Sequence, residues 1–174
     1  GNSATCALLS DHSVKCWGKN NFGQLGLGNS SSNDVLTPHT VTFNGASTPL
    51  SLHAGRNEFC AQLDNGSAAC WGQNADGQFG LGNTTSQTSP IALTLPTGRT
   101  IASMSMAKDF ICITLDNGSV VCAGRNTEFQ IGQGTTSAAE LSWKYVIGLD
   151  MIAHSVELGQ DVGCAHLVNG SMAC

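Results

Sequence analysis

Eight cysteines divide this sequence into four pairs that share one spacing. Nine residues separate the members of each pair, and the first members of successive pairs lie 54, 52 and 52 residues apart. The pairs are Cys6 and Cys16, Cys60 and Cys70, Cys112 and Cys122, and Cys164 and Cys174. A fixed period of roughly 20 to 50 residues is typical of solenoids and propellers. The chain is therefore predicted to repeat one small structural unit.

The segment between two paired cysteines has the pattern of a β-hairpin. Asp64, Asn65 and Gly66 form a turn sequence between short β-compatible runs, and a three-residue loop that ends in a left-handed glycine is a favoured hairpin loop. That loop places Cys60 opposite Cys70 at a Cα separation of about 4.5–5.5 Å, which lies within disulfide range. We therefore predict four disulfides, each within one hairpin: Cys6–Cys16, Cys60–Cys70, Cys112–Cys122 and Cys164–Cys174.

Zinc is the alternative explanation for paired cysteines. Structural zinc sites favour cysteines separated by about two to four residues, whereas nine residues separate them in this chain. No histidine recurs at a matching position of every repeat. The five histidines are His12, His39, His53, His154 and His166. The sequence thus favours disulfides, and we predict no metal site and no cofactor.

The hairpin strands are partly apolar on both faces. Strand alternation puts Cys112 and Thr114 on one face and Ile113 and Leu115 on the other. A sheet with one face exposed to solvent would show a clearer alternation of apolar and polar residues, whereas a propeller blade packed between two neighbours is buried on both sides. The 21 glycines, together with many Asn, Ser and Thr residues, add turn-forming capacity. We predict an all-β fold.

A glycine-rich tail follows the second cysteine of each complete repeat. It reads WGKNNFGQLGLG over residues 17–28 and WGQNADGQFGLG over residues 71–82, and an asparagine follows each copy. The third copy, AGRNTEFQIGQGT over residues 123–135, has lost the tryptophan and one glycine. Hairpin and tail together resemble the RCC1 (regulator of chromosome condensation) repeat. The resemblance implies that each repeat forms one four-stranded propeller blade, and that about seven such blades close a ring.

The period divides the chain into about three and a third repeats of about 52 residues. The predicted units are residues 1–54, 55–106 and 107–158, with a partial unit at 159–174. Because a propeller closes with about four to eight blades, we expect these repeats to be a fragment of a larger chain. An open arc and a ring completed by other chains are the alternatives. Strand candidates between the tails and the next hairpins are residues 91–95, 101–106, 145–149 and 151–158.

Catalytic motifs are absent from the sequence. It contains no G-x-S-x-G, H-E-x-x-H, C-x-x-C or Walker A pattern. Asp11, Asp64 and Asp116 recur near the hairpin turns, and a structural role in the turn is favoured over acid–base chemistry or calcium binding. Trp17 and Trp71 directly follow a cysteine, which favours packing between blades over stacking on a sugar. We predict that the chain is not an enzyme.

Charge and sequence patterns restrict the partners and the compartment. Seven Lys and Arg residues against twelve Asp and Glu residues give a net charge of −5, so a nucleic-acid partner is not expected. No apolar run reaches the roughly 18 residues of a membrane-spanning helix. Cystines in every repeat favour a secreted, cell-surface or luminal protein.

Five Asn-x-Ser/Thr sequences add candidate N-glycosylation sites. Asn29 and Asn83 lie beyond the tails and are the better candidates. The other three lie in Asn-Gly-Ser turns, where hairpin geometry is an equal explanation. Those three are Asn65, Asn117 and Asn169.

The resemblance also bears on function, but only by analogy of fold. The founding member of the family is a nuclear exchange factor for a small GTPase, whereas this chain has cystines and no basic tail. It looks closer to the secreted propellers of the family that act as binders. We predict a non-enzymatic extracellular or luminal scaffold or protein-interaction module, whose partners are other proteins or copies of itself. The alternatives are a structural subunit of an extracellular filament or surface assembly, and a carbohydrate-binding propeller.

Overall fold

The computed structural model describes residues 1–96 and 98–174, which contain β-strands and turns but no helix. Every strand pairing is antiparallel, and the strands form four sheets. The strands are β1 (Ala4–Leu8), β2 (Val14–Asn20), β3 (Ser31–Thr40), β4 (Pro49–Ala54), β5 (Glu58–Leu63), β6 (Ala68–Gly72), β7 (Gln87–Ala92), β8 (Ile101–Met106), β9 (Phe110–Leu115), β10 (Val120–Asn126), β11 (Ser137–Tyr145), β12 (Ala153–Leu158), β13 (Gly163–Leu167) and β14 (Met172–Ala173). The all-β prediction is confirmed.

The first of two compact units comprises residues 1–75 and 85–93. It contains a three-stranded sheet in the order β1-β2-β3 and a four-stranded sheet in the order β4-β5-β6-β7. Side chains from both sheets form one apolar cluster, which supplies the burial that stabilises the unit. Its fully buried members include Cys16, Leu25, Ala61 and Trp71.

The second unit comprises residues 76–84 and 94–174. Its sheets have the orders β8-β9-β10-β11 and β12-β13-β14. Buried residues that cluster in this unit include Phe110, Ile131, Val156 and Leu167. Strand β9 is buried at every position, in agreement with its apolar residues on both faces.

The hairpins have the register that the turn sequence predicts. Cys60 lies opposite Cys70, and the backbone N–H of Gly66 donates to the carbonyl of Leu63 at 3.0 Å to close the turn. The structure contains the disulfides Cys6–Cys16, Cys60–Cys70, Cys112–Cys122 and Cys164–Cys174, with Cα atoms 4.0–4.1 Å apart. These are the same pairs as predicted, at a slightly shorter separation than expected.

The outer strand of each four-stranded sheet was placed incorrectly from the sequence. Residues 91–95 and 145–149 were the candidates, but the strands are β7 and β11, which begin earlier, and β3 was not anticipated. These strands are largely exposed or half-buried and join their neighbours through β-bulges. A bulge breaks the two-residue alternation on which strand recognition depends. Residues 101–106 do form β8, and residues 151–158 contain β12.

Three of the four sheets extend across a boundary between the predicted repeat units. Strand β4 precedes Gly55 in sequence, yet it pairs with β5, which follows Gly55. Strands β8 and β9 pair in the same way across Ala107. One strand before each of the last three hairpins, namely β4, β8 or β12, therefore belongs to the same sheet as that hairpin.

Candidate interaction surface

Three glycine-rich turns connect β2, β6 and β10 to the outer strands that follow them. We call them the first tail (residues 20–28), the second tail (residues 74–82) and the third tail (residues 126–134). A fully buried asparagine begins each of them. The side-chain oxygen of Asn20 accepts a hydrogen bond from the backbone N–H of Leu25 at 3.1 Å, and Asn126 accepts one from Ile131 at the same distance.

A buried glutamine completes each tail. The side-chain oxygen of Gln24 accepts a hydrogen bond from the backbone N–H of Phe22 at 2.8 Å, and Gln130 accepts one from Glu128 at 2.8 Å. Gln78 makes the equivalent bond to the backbone N–H of Asp76 at 3.2 Å. Buried polar groups must be hydrogen-bonded to avoid a desolvation penalty. The repeated Asn and Gln residues therefore hold the turns in shape.

The first and second tails each contact the outer strand of the next sheet. In the first unit, the backbone N–H of Gly28 donates to the carbonyl of Thr88 at 2.8 Å. In the second unit, the N–H of Gly82 donates to the carbonyl of Leu141 at 2.7 Å. The same contact thus occurs once within each unit.

This contact requires a glycine in the tail. Gly23 and Gly77 have φ angles of 76° and 70°, which side chains rarely adopt. A Cβ atom added at Gly23 would lie 2.7 Å from the Cα of Thr88, and one added at Gly77 would lie 3.0 Å from the Cα of Leu141. A side chain at either position would separate the tail from the strand.

Trp71 anchors the contact in the first unit. Its side chain is fully buried, and its indole N–H donates to the carbonyl of Gln24 at 3.0 Å. The ring stacks near Phe59 and lies beside Gly26, so close that a Cβ on that glycine would be 3.1 Å from the ring. Trp71 is therefore a packing residue and is not accessible to a sugar.

In the second unit, the tryptophan that packs against the tail comes from a different strand. Ala123 occupies the position of Trp71 in the third repeat and is fully buried. Instead, Trp143 on β11 lies against Gly80, the counterpart of Gly26, where an added Cβ would be 2.5 Å from the indole nitrogen. Within the described residues this nitrogen is buried without a hydrogen-bond partner. The loss of the tryptophan was visible in the sequence, but its replacement was not.

The third tail differs from the other two at its glycine. Phe129 takes the position of Gly23 and Gly77, has a φ of 63°, and is 58% exposed. It borders a cavity of about 400 Å³ in the second unit. The cavity is also lined by Glu128, Gln130, Gly132, Val146, Ile147 and Asp161. The loss of a glycine is visible in the sequence, whereas the exposure of the aromatic side chain that replaces it is visible only in the structure.

The recurrent aspartates have structural contacts in the turns. Asp11 accepts hydrogen bonds from the side chain and the backbone N–H of Ser13, which hold the pKa of Asp11 below its ordinary value. Asn65 makes the same two contacts with Ser67, so Asp11 corresponds to Asn65 and not to Asp64 as the sequence pattern suggested. The contacts of Asp11 are local to its turn, whereas Asp64 accepts a hydrogen bond from the backbone N–H of Thr48 at 3.0 Å and Asp116 forms an ion pair with Arg99 at 3.7 Å.

The histidines and the acidic residues are possible metal ligands among the described residues. The rings of His154 and His166 lie near each other, with their centroids 6.1 Å apart. Across residues 1–96 and 98–174, no group of three or more His, Cys, Asp or Glu side chains is arranged to hold a metal ion. Nor does this part of the chain contain a helix that is long and apolar enough to cross a membrane.

All five candidate glycosylation residues are exposed. Asn29 and Asn83 lie in loops beyond the first and second tails. The other three lie at hairpin turns, where each side-chain oxygen accepts a hydrogen bond from the backbone N–H of a serine two residues later. These three are Asn65, Asn117 and Asn169.

Comparison with known proteins agrees with the repeat pattern and the fold. Two family models described as the regulator of chromosome condensation (RCC1) repeat match residues 1–24 and residues 65–113. The "Protein RCC2 homolog" of Xenopus laevis is 30% identical over 161 residues, which cover 90% of this chain and 30% of the relative. The chain thus spans less than a third of the length of this relative.

Two solved structures share the fold. Prp20p of Saccharomyces cerevisiae is similar with a TM-score of 0.84 and 17% identity, covering 95% of this chain and 42% of Prp20p. The ectodomain of the Arabidopsis thaliana receptor kinase ACR4 is similar with a TM-score of 0.62 and 19% identity, covering 100% of this chain and 52% of the ectodomain. Both the matched repeats and the all-β sheets lead to one conclusion: the chain is an RCC1-like repeat protein with the fold of RCC1-type propeller blades.

Proposed function

We propose that this chain is a non-enzymatic protein-interaction module of a secreted, cell-surface or luminal protein. The observation that carries the proposal is the cystine within every hairpin. No free cysteine occurs among the described residues. Disulfides of this kind persist in oxidising compartments and are rare where glutathione keeps thiols reduced.

Two further observations support an oxidising compartment. Asn29 and Asn83 are exposed sequons in loops, where a bulky glycan would not disturb the core. The same fold also occurs in the ectodomain of a plant receptor kinase.

An interaction role is supported by how the polar residues are used. The buried Asn and Gln residues of the tails are engaged in holding turns, and the acidic side chains of the hairpin turns bond to nearby backbone. Exposed apolar side chains, in contrast, remain on the surface of the second unit, including Phe129 and Ile147. Phe129 and Ile147 line the same cavity, and apolar side chains that are grouped on a surface are typical of protein-binding sites. Prp20p, which shares the fold, binds the proteins Gsp1p and histones.

The compartment is tested by mass spectrometry of the native protein after alkylation without reduction. We expect no alkylated cysteine, four intrahairpin disulfides, and glycan mass on peptides that contain Asn29 or Asn83. In a secreting host, Asn29→Gln and Asn83→Gln should each remove one glycan, whereas Asn33→Gln, an exposed asparagine outside any sequon, should remove none. Alkylated cysteines together with unmodified asparagines would contradict the proposed compartment.

The interaction role is tested by photo-crosslinking from positions on the exposed surface of the second unit, using the disulfide-bonded protein secreted by its native cell type. We expect a protein to crosslink from position 147 and to bind the purified chain in calorimetry. A crosslinker at Leu50, which is exposed in the first unit, is the matched control. Failure of every crosslinked protein to bind in purified form, or turnover of a substrate by the purified chain, would contradict the proposal.

A further inference from the structure

Four Asn-Gly pairs occur in the sequence, and the structure places them in two different settings. Three lie in hairpin turns, and the remaining one lies in the loop that connects β3 to β4 in the first unit. The pairs are Asn44-Gly45, Asn65-Gly66, Asn117-Gly118 and Asn169-Gly170. An asparagine that precedes a glycine is prone to intramolecular attack on its side-chain amide, because glycine has no Cβ to shield its backbone nitrogen. Any difference in reactivity between the four pairs therefore depends on the fold.

Hydrogen bonds occupy both reacting groups of the three pairs in the hairpin turns. The side-chain oxygen of Asn65 accepts hydrogen bonds from the backbone N–H of Ser67 at 3.0 Å and from its hydroxyl at 2.7 Å. The backbone N–H of Gly66 donates to the carbonyl of Leu63 at 3.0 Å. The turns of the hairpins β9–β10 and β13–β14 contain the same two backbone hydrogen bonds, at 2.8–3.2 Å. These asparagines can react only if the turn opens, which is unfavourable.

The pair Asn44-Gly45 is not restrained in this way. Asn44 is exposed, and Gly45 has a φ of 112°. Apart from its chain neighbours, no atom lies within 4 Å of the place that a Cβ on Gly45 would take. Within residues 1–96 and 98–174, neither the side chain of Asn44 nor the N–H of Gly45 makes a hydrogen bond. The amide carbon and the backbone nitrogen can therefore approach each other without opening any part of the fold.

The two ends of the loop are fixed to the hairpins beside it. Val41 is buried, and its backbone N–H donates to the carbonyl of Val14 at 2.9 Å. At the other end, the carbonyl of Thr48 accepts a hydrogen bond from the backbone N–H of Asp64 at 2.9 Å. The N–H of Thr48 donates to the Asp64 side chain at 3.0 Å. A covalent change at Asn44 is therefore expected to leave the sheets undisturbed.

We propose that Asn44 is a site of covalent modification, at which the side-chain amide becomes a carboxylate through a cyclic imide. The backbone nitrogen of Gly45 bonds to the side-chain carbonyl carbon of Asn44, and the C–N bond of the side-chain amide breaks. The proton of the attacking nitrogen passes through water to the leaving nitrogen, which departs as ammonia. One water then opens the imide at either of its two carbonyls. The products are aspartate and isoaspartate, and in isoaspartate the main chain passes through Cβ and gains one methylene group.

The extent of this modification increases with the age of the protein. Each converted chain gains one negative charge beyond the net charge of −5. The reaction needs no partner, so it does not depend on the interaction role proposed above. Because exposed loops are common binding surfaces, the modification changes the surface that older molecules present between β3 and β4.

Peptide mapping of the disulfide-bonded protein during incubation at neutral pH and physiological temperature tests the proposal. Secretion into the periplasm of a bacterial host without N-glycosylation keeps the disulfides and leaves every asparagine without a glycan. Trypsin separates the four pairs into the peptides 20–56, 57–99, 109–125 and 145–174. We expect a mass gain of about 1 Da at Asn44, at a rate at least about tenfold above the rates of the three hydrogen-bonded pairs. Electron-transfer fragmentation should identify both aspartate and isoaspartate there.

Three controls separate the effect of the fold from that of the local sequence. Ser67→Ala gives Asn65 the same two following residues as Asn44 and keeps the backbone hydrogen bonds of the turn, so Asn65 should still react more slowly. In the reduced, urea-unfolded chain, the four pairs should react at similar rates. Asn44→Gln should abolish the acidic species that accumulates in ion-exchange chromatography and should leave the urea unfolding midpoint unchanged.

Three results would overturn the proposal. The first is equal rates at the four pairs of the folded protein. The second is an Asn44 that stays unmodified in the folded protein while the unfolded chain reacts. The third is a faster reaction at Asn44 that persists in the unfolded chain, because the local sequence would then be its cause.

Discussion

Replacing Trp71 with alanine is expected to destabilise the first unit by about 3–5 kcal/mol, the usual range for a fully buried tryptophan. The side chain is inaccessible to solvent and contacts both Phe59 and the first tail. Its removal leaves a cavity and an unpaired carbonyl on Gln24. The loss should appear as a lower midpoint in urea unfolding, followed by the fluorescence of the remaining tryptophans.

Trp71→Phe separates packing from the hydrogen bond. Phenylalanine keeps most of the apolar contact but has no N–H for the carbonyl of Gln24. A loss of about 1–2 kcal/mol is expected, from one hydrogen bond and a small volume change. If Trp71→Ala left the unfolding midpoint unchanged, the indole would not anchor the tail as described here.

Trp143 should respond differently to the same substitution. Its indole nitrogen is buried without an acceptor in the described residues, and an unsatisfied buried donor is unfavourable by about 1–3 kcal/mol. Trp143→Phe is therefore expected to leave stability unchanged or to raise it, in contrast to Trp71→Phe. Trp143→Ala should destabilise the second unit by about 2 kcal/mol, because the half-buried ring loses its packing on Gly80.

An exchange of residues tests whether Trp143 takes over the role of Trp71. Ala123→Trp alone should be destabilising, since Ala123 is fully buried and a larger side chain overpacks its site. Pro90 on β7 holds the position of Trp143 on β11, three residues after the strand partner of Gly72 or Gly124. Ala123→Trp combined with Trp143→Pro therefore reproduces the arrangement of Trp71 and Pro90 in the second repeat. The double variant should be more stable than the sum of the single changes predicts, by about 1–3 kcal/mol of coupling. Additive effects, measured by urea unfolding of all four chains, would show that the two positions are independent.

The hairpins could be predicted from the sequence because their determinants are local. A turn such as Asp64–Gly66 sets the register, and the register then places Cys60 opposite Cys70 without reference to the rest of the chain. The burial of both faces of β9 could likewise be predicted from the apolar residues of that strand. Each of these inferences involves residues fewer than twelve positions apart.

The outer strands could not be predicted in this way, and neither could the packing of Trp143 against the second tail. Strands β3, β7 and β11 are only partly buried and contain bulges, so they lack the hydrophobic alternation that identifies a strand. Trp143 reaches Gly80 from a position more than sixty residues away in the chain. Nothing in the sequence near either residue indicates this contact.

The sequence by itself determined the repeat, the hairpins, the disulfide pairs and the family, because a period and a turn are properties of neighbouring residues. Only the tertiary structure decided whether each tail packs against an outer strand. Gly23 and Gly77 accept a strand within van der Waals distance, whereas Phe129 occupies the same turn and remains exposed. The physical reason is that close approach depends on the atoms that two distant segments bring to one place. A tail that appears in the sequence as an imperfect repeat thereby becomes, in the folded chain, an apolar surface beside a cavity.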